Sequence, residues 1–268
     1  MSDKIATHLT ELQSTRVPTL VIDSMQVYRE IPIITNQERE RSAELVGITS
    51  VENDWTMARH RLVADESIYR TKGPFVLDSG TGMYLNAILL DIDIAPRVPY
   101  GIRKEAENAS VDSVNPRRST REKELQISGW PSRNSIWSGD LRFDTTIIYL
   151  RPERQALDYA IDVRSGKTVY SGLEEAKELK RLASMGIIPN SSVSSSIGVR
   201  ELTDVLSGDL TKTEAKVRIA ARTRRLARRQ IRWFDKLIRT LSGRAEIHVV
   251  RNPEEVPSLS TMSDILGS

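Results

Sequence analysis

The sequence predicts an α/β fold built on a parallel sheet flanked by helices, and three observations carry that prediction. Four short segments, 19–23 (TLVID), 74–78 (PFVLD), 145–150 (TTIIYL) and 246–250 (EIHVV), are rich in β-branched residues and bounded by turn formers. Each is a continuous apolar run rather than an alternation, the pattern of strands covered on both faces. Helical patterns fall between them, and such alternation of strand and helix marks the α/β class.

The elements follow in order. After the first strand, Asp54 is expected to cap a helix over WTMARHRLVADESIY. The second strand feeds GTGMYLNAILL, which opens a helix, and the third feeds RPERQALDYAIDV. Residues 96–140 break the rhythm with many turn formers and few aliphatics, so they are read as a reduced, mostly helical insertion plus a loop. The α/β core is then 1–95 and 141–268. PNSSVSSSIG (189–198) is expected to be a loop delivering the chain to a long helix, and the tail 251–268 is expected to be peripheral.

That last helix, Thr211 to about Leu241, opens on a capping box in which Thr211 is the N-cap and Glu214 stands three residues on. Ala220, Ala227, Ile231, Phe234, Ile238 and Leu241 recur at spacings of three, four and seven and define a buried face. Arg218, Arg222, Arg225, Arg229, Arg232 and Lys236 fall opposite, as a basic stripe toward solvent. Such a stripe is either a solvated face or a surface for nucleic-acid phosphate. Arg224 and Arg228 lie on one shoulder of the buried face, about 60° and about 100° from its centre, and Gln230 on the other.

Composition sets bounds. The 268 residues suit one large domain or one domain with an insertion. No cysteine is present, which excludes disulfides, thiol nucleophiles and thiolate metal sites, and His8, His60 and His248 show no ligand spacing, so no protein metal site is expected. No apolar run reaches membrane-spanning length and the first residues lack the pattern of a secretory signal, so the expectation is a cytoplasmic protein with no membrane partner.

Two strand ends share one pattern: an apolar run, then Asp, then Ser, at Asp23–Ser24 and Asp78–Ser79. In open α/β sheets ligands bind beyond the carboxyl ends of the strands, while an acid in the same place also serves as a simple turn cap. Gly80 and Gly82 let backbone approach an anion, and Ser79 and Thr81 add hydroxyl donors at the start of a helix.

Four separated stretches, DSMQVYRE (23–30), GTGMYL (80–85), IGVRE (197–201) and TRRLARRQIRWF (223–234), resemble in order and spacing the tRNA dimethylallyltransferase, or isopentenyltransferase, family. The resemblance runs from about Lys4 to Leu237. It implies a P-loop-NTPase-like α/β fold and transfer of a prenyl group from a diphosphate donor to a nitrogen nucleophile, the adenine of tRNA or a smaller acceptor. Asp23 would be the base and Arg224 the diphosphate clamp. Ser24, Gln26, Tyr28, Asp78, Ser79, Thr81, Arg228 and Gln230 would contact substrate, with Mg²⁺ accompanying the diphosphate.

Against the family pattern, Ser2 to Ile5 align with the end of a phosphate loop, so a divergent member lacking the N-terminal strand and that loop is expected. A sheet without its central strand exposes edges, which makes a homodimer an expected assembly. Three readings stay open: the prenyltransferase, which the motifs favour; a non-catalytic RNA-binding or regulatory descendant; and an enzyme repurposed to another reaction.

Overall fold

The computed structural model describes residues 2–13, 16–95, 98–109, 116–130 and 135–255. The expected peripheral tail from 256 onward, and parts of the 96–140 segment, lie outside the described residues. In chain order the elements are α1 (Ser2–Gln13), β1 (Thr19–Ile22), α2 (Pro32–Thr35), α3 (Met57–Thr71), β2 (Val76–Ser79), α4 (Gly82–Leu89), α5 (Tyr100–Ala109), α6 (Pro116–Ile127), β3 (Thr146–Leu150), α7 (Arg154–Ser171), α8 (Leu173–Ser184), α9 (Ser191–Ser194), α10 (Val199–Ser207), α11 (Lys212–Leu241) and β4 (Glu246–Val250). Strand and helix alternate, and the pairing is parallel throughout the two described ladders, β1 with β2 and β3 with β4.

All four residues of β1 are buried, whereas β2 is half-buried and β3 and β4 carry partly or fully exposed positions. Continuous apolar runs therefore mark all four strands, but coverage on both faces holds for β1 alone. The chain divides into two compact units, Met1–Leu85 with Asp144–Ser268, and Asn86–Phe143. The second contains α5 packed on α6, with Asp91 donating to the Asp140 carbonyl at 2.8 Å to close its ends.

The main core of the first unit gathers Val27, Tyr28, Ile31, Ile34, Val169, Leu179, Val199, Leu202 and Ile219. Short α2 begins with Pro32 and has no side-chain cap of its own. Glu175 of α8 supplies one instead, its two carboxylate oxygens accepting from the amides of Ile33 (2.6 Å) and Ile34 (2.9 Å). Burial pushes the Glu175 carboxyl up, and the two amide donors act against that shift.

Capping departs from expectation at α3, where Thr56 rather than Asp54 is the N-cap and accepts from the Arg59 amide. A bonded hydroxyl next to the helix start outcompetes a carboxylate two residues upstream. The capping box Thr211–Glu214 forms as expected at α11. The 189–198 stretch is not a plain loop: Asn190 caps the single-turn α9, and the chain enters α10 before it reaches α11.

On α11 the fully buried positions are Ala215, Ile219, Ala220, Leu237 and Leu241, while Ala227, Ile231, Phe234 and Ile238 are half-buried. The outward stripe holds at Arg218, Arg225, Arg229, Arg232 and Lys236, all exposed, and fails at Arg222. Arg222 turns inward to the buried Glu201 of α10 at 2.5 Å and donates to the Ser195 carbonyl at 2.6 Å. Glu201 in turn accepts from the Gly198 amide at 2.9 Å, capping α10. Gly198 has φ of +97°, and a Cβ there would lie 2.8 Å from Ile34, so IGVRE is first a packing motif.

No described helix is long and apolar enough to cross a membrane. Glu201→Ala strands Arg222 and uncaps α10 together, so unfolding in urea is expected to show a loss of about 3 kcal/mol, the scale for breaking one side of a buried pair. A loss near zero would contradict the strut role.

Candidate active site at the strand ends

Parallel pairing aligns Ile22 with Ser79, so the two strand ends lie side by side. Asp23 follows β1 directly and uses its two oxygens differently. Oδ1 accepts from the amides of Met25 (2.8 Å) and Gln26 (3.1 Å), a side-chain-closed turn. Oδ2 accepts one long bond from the Thr81 hydroxyl at 3.3 Å, and the same hydroxyl accepts from the Ser24 amide at 3.2 Å. Turn cap and candidate reacting carboxylate are thus the same residue, with one oxygen fastened and the other lightly held.

The turn between β2 and α4 is pinned from α11. Gln230 donates to the Gly80 carbonyl at 2.6 Å, and a Cβ on Gly80 would sit 3.2 Å from Asp23 Oδ2. A Cβ on Gly82 would fall 2.1 Å from the Trp233 ring, so only glycine admits the indole there. Ser79 donates to the Ile22 carbonyl at 3.1 Å, which ties the two strand ends together.

Arginines of α7, α11 and the 36–56 loop are the candidate cations. Arg164 of α7 is exposed as a residue, yet its guanidinium is withdrawn enough from water to lower its pKa, with the Asp23 charge acting in the opposite sense. Arg224 of α11 donates to Asp158 of α7 at 2.9 Å and is half-buried, while Arg228 is exposed. Arg39 donates to Asp78 at 2.6 Å and to the Gln26 side chain at 3.0 Å, and Ser2 also donates to Asp78 at 3.0 Å. Asp78 is therefore compensated rather than a bare negative charge beside the turn.

Tyr28 does not face the strand ends. It is buried in the core, where its hydroxyl donates to the Asn53 carbonyl at 3.3 Å and accepts from Asn190 at 3.1 Å. Within five residues of Asp23 the chain has turned, and Tyr28 bridges to Thr49.

Beneath the Asp23 turn lies a neutral aromatic layer. His60 is fully buried; its Nε2 lies 3.1 Å from the Val21 carbonyl and its Nδ1 accepts from Trp55 at 3.0 Å, which assigns the proton to Nε2. Burial lowers the His60 pKa to about 4, against a smaller raising effect of the Val21 carbonyl and the Asp23 charge. Tyr84 packs 5.3 Å from the His60 ring, and burial raises its hydroxyl pKa further.

Arg164, Arg39, His60 and Trp233 are the members that sequence reasoning missed. A signal existed for Arg164 in its spacing, three residues after buried Ile161 and four before buried Thr168, at the border of the buried face of α7. Among the described residues no three His, Asp or Glu side chains converge on a metal position.

Fold and site define an α/β protein whose candidate site gathers Asp23, Thr81 and a glycine turn at the carboxyl ends of two parallel strands. The family model for IPP transferase matches residues 26–125 and 106–237. A tRNA dimethylallyltransferase of Rubrobacter xylanophilus is 50% identical over 272 residues, covering 100% of this chain and 94% of its own length. One from Rickettsia felis is 28% identical, covering 81% of each. Among solved structures, a eukaryotic dimethylallyltransferase acting on tRNA superimposes with a TM-score of 0.71 at 20% identity, over 98% of this chain and 74% of that one. A tRNA isopentenylpyrophosphate transferase of Staphylococcus epidermidis does so with a TM-score of 0.62 at 18% identity, over 98% and 92%. The chain belongs to the IPP transferase family.

The buried ring of His60 refuses a proton that the unfolded chain accepts near pH 6.5, so stability is expected to fall as pH drops from about 6.5 to about 4 and to level off below. The contribution is roughly 3 kcal/mol. Chemical unfolding across that range checks it: His60→Phe should remove this part of the slope, and an unchanged slope would contradict the assignment.

Proposed function

We propose that this chain transfers a dimethylallyl group from its diphosphate to the exocyclic amine of an adenine in tRNA. The observation that carries the reading is Asp23, held rigid through Oδ1 and lightly bonded at Oδ2, at the strand end of an IPP transferase family member. The amine nitrogen bonds to C1 of the dimethylallyl group, the C–O bond breaks with its electron pair leaving on the diphosphate, and the amine proton passes to Asp23 Oδ2. Thr81 orients that oxygen, and Gln230 holds the Gly80 turn beside it.

Charge accumulates on the departing diphosphate, so guanidiniums fixed beside it stabilise the transition state more than the ground state. Arg164 and Arg224 take that role here, Arg224 by exchanging its half-exposed partner Asp158 for phosphate oxygens. Ser24 and Ser79, which bond to the Thr81 hydroxyl and the Ile22 carbonyl, and exposed Arg228 are read as completing the substrate contacts, whereas Tyr28 is assigned to the core. Mg²⁺ is taken only as a counter-ion carried by the diphosphate, keeping most of its ligands from phosphate oxygens and water.

The experiment is incubation with dimethylallyl diphosphate and tRNA, followed by mass spectrometry of the digested nucleosides. Asp23→Asn is expected to lower kcat by about 10²- to 10⁴-fold while donor affinity stays within about threefold, the signature of a lost general base. Arg164→Ala is expected to weaken donor binding as well as turnover. Wild-type protein that leaves every adenine unmodified would overturn the reading.

A further inference from the structure

The Asp23 carboxylate goes where the end of β1 goes. Its Oδ1 is bonded to the Met25 and Gln26 amides of its own turn, so carboxylate and turn move together. Its Oδ2 has one bond from Thr81, at 3.3 Å, which is too long to fix a side chain alone. What holds the strand end therefore decides where that oxygen stands.

On one edge β2 holds it: the Ile22 carbonyl accepts from the Ser79 hydroxyl at 3.1 Å and from the Thr81 amide at 3.4 Å. On the other edge the backbone ladder runs out. The Glu44 amide donates to the Thr19 carbonyl at 2.8 Å and the Val21 amide to the Glu44 carbonyl at 3.0 Å, an isolated bridge. The next acceptor along that edge, the Val21 carbonyl, is met by a side chain, His60 Nε2 at 3.1 Å.

His60 is built for that bond. It stands in the first turn of α3, where its amide donates to the Thr56 carbonyl at 2.9 Å, and its ring is fully buried. The Trp55 indole, a donor only, occupies Nδ1 and leaves the proton on Nε2. Burial keeps the ring neutral, so it donates without adding a charge beside Asp23. The Trp55 carbonyl accepts from the Tyr84 hydroxyl at 3.4 Å, and the Tyr84 amide donates to the Thr81 carbonyl at 3.0 Å. These bonds close a ring, from Asp23 through Thr81, Tyr84, Trp55, His60 and Val21 back to Asp23.

We propose that His60 is a positioning residue for prenyl transfer: by satisfying the Val21 carbonyl it sets where the end of β1 presents Asp23 against Thr81. It acts through the backbone alone, from beneath the turn. The inference rests on the reading of Asp23 as the base and adds the group that aims it. A base works only within hydrogen-bond reach of its proton, and a misplacement of about 1 Å can cost about 10²-fold in rate. A histidine that served packing alone would lower stability and leave the geometry of the folded molecules intact.

The test is steady-state prenylation of tRNA by His60→Phe, His60→Gln, Asp23→Asn and the Asp23→Asn, His60→Phe double variant, with rates normalised to folded protein by near-ultraviolet circular dichroism. His60→Phe is expected to lower kcat about tenfold with KM for both substrates within about threefold. His60→Gln, whose amide can donate to Val21, should recover most of that loss. In the Asp23→Asn background His60→Phe should cost less than about twofold further, because a residue acting through Asp23 has nothing left to act on. Trp55→Phe guards against a His60→Phe that fails to fold: it leaves His60 in place, frees its tautomer, and is expected to lower kcat about threefold. Hydrogen exchange at the Met25 and Gln26 amides should speed about tenfold in His60→Phe, with the β3–β4 ladder unchanged.

Unchanged kcat in His60→Phe or in Trp55→Phe, an equal loss with and without the Asp23 carboxylate, or a glutamine variant no better than phenylalanine would overturn the inference and leave the proposed function standing. Wild-type protein that modifies no tRNA would overturn the proposed function instead. The exchange measurement then still decides the positioning role, and unchanged exchange at Met25 and Gln26 would reject it.

Discussion

Parallel alignment of Ile22 with Ser79 is the constraint from which the site follows. It sets Asp23 and the Gly80–Thr81 turn at neighbouring strand ends, so a carboxylate from one and a hydroxyl from the other share a hydrogen bond. A slip of one residue would part Ile22 from Ser79 and with them Asp23 from the Thr81 hydroxyl. Ser79 holds the register at that point by donating to the Ile22 carbonyl.

Helix α11 closes on that local geometry. Its 30 residues span about 45 Å, long enough to touch three elements and the glycine turn. Toward α7 it pairs Lys216 with Asp162 and Arg224 with Asp158. Toward α10 it pairs Arg222 with Glu201, and toward β3 its Asp235 accepts from Tyr149 and Arg151. Between these contacts Gln230 and Trp233 close on the glycine turn, which explains why two glycines stand there: one keeps clear of Asp23, the other of the indole. The turn would also suit anion approach, but its closest observed visitor is Trp233.

Features whose cause lies within one turn of chain were legible in the sequence. Asp23 shows as a polar residue ending a β-branched run, and the Thr211 capping box is written in four consecutive positions. Features whose cause lies far away were not. Arg222 has the same angular position as its exposed neighbours on the stripe, and only Glu201, 21 residues back, turns it inward. Tyr28 shares a stretch with Asp23, but a shared stretch carries no direction: the chain turns at Met25–Gln26, and Tyr28 pairs with Thr49 with its ring in the core. Arg39 lies in a segment without periodicity, so nothing in its neighbourhood announces that it will neutralise Asp78.

The arginines differ in what it costs to lend them to an anion, and the difference follows from the burial of their partners. Arg222 and Arg224 are both paired, yet the Glu201 side chain is 4% exposed and that of Asp158 is 41%. Drawing Arg222 away would leave a buried carboxylate unpaired, a penalty of about 3–5 kcal/mol. Drawing Arg224 away returns Asp158 to water, where an exposed ion pair is worth at most about 1 kcal/mol. Arg225, Arg229 and Arg232 give up only water. A helix that presents one unbroken basic stripe in sequence thus carries three kinds of cation: structural, exchangeable and free. Only the last two can serve a diphosphate or a nucleic-acid backbone.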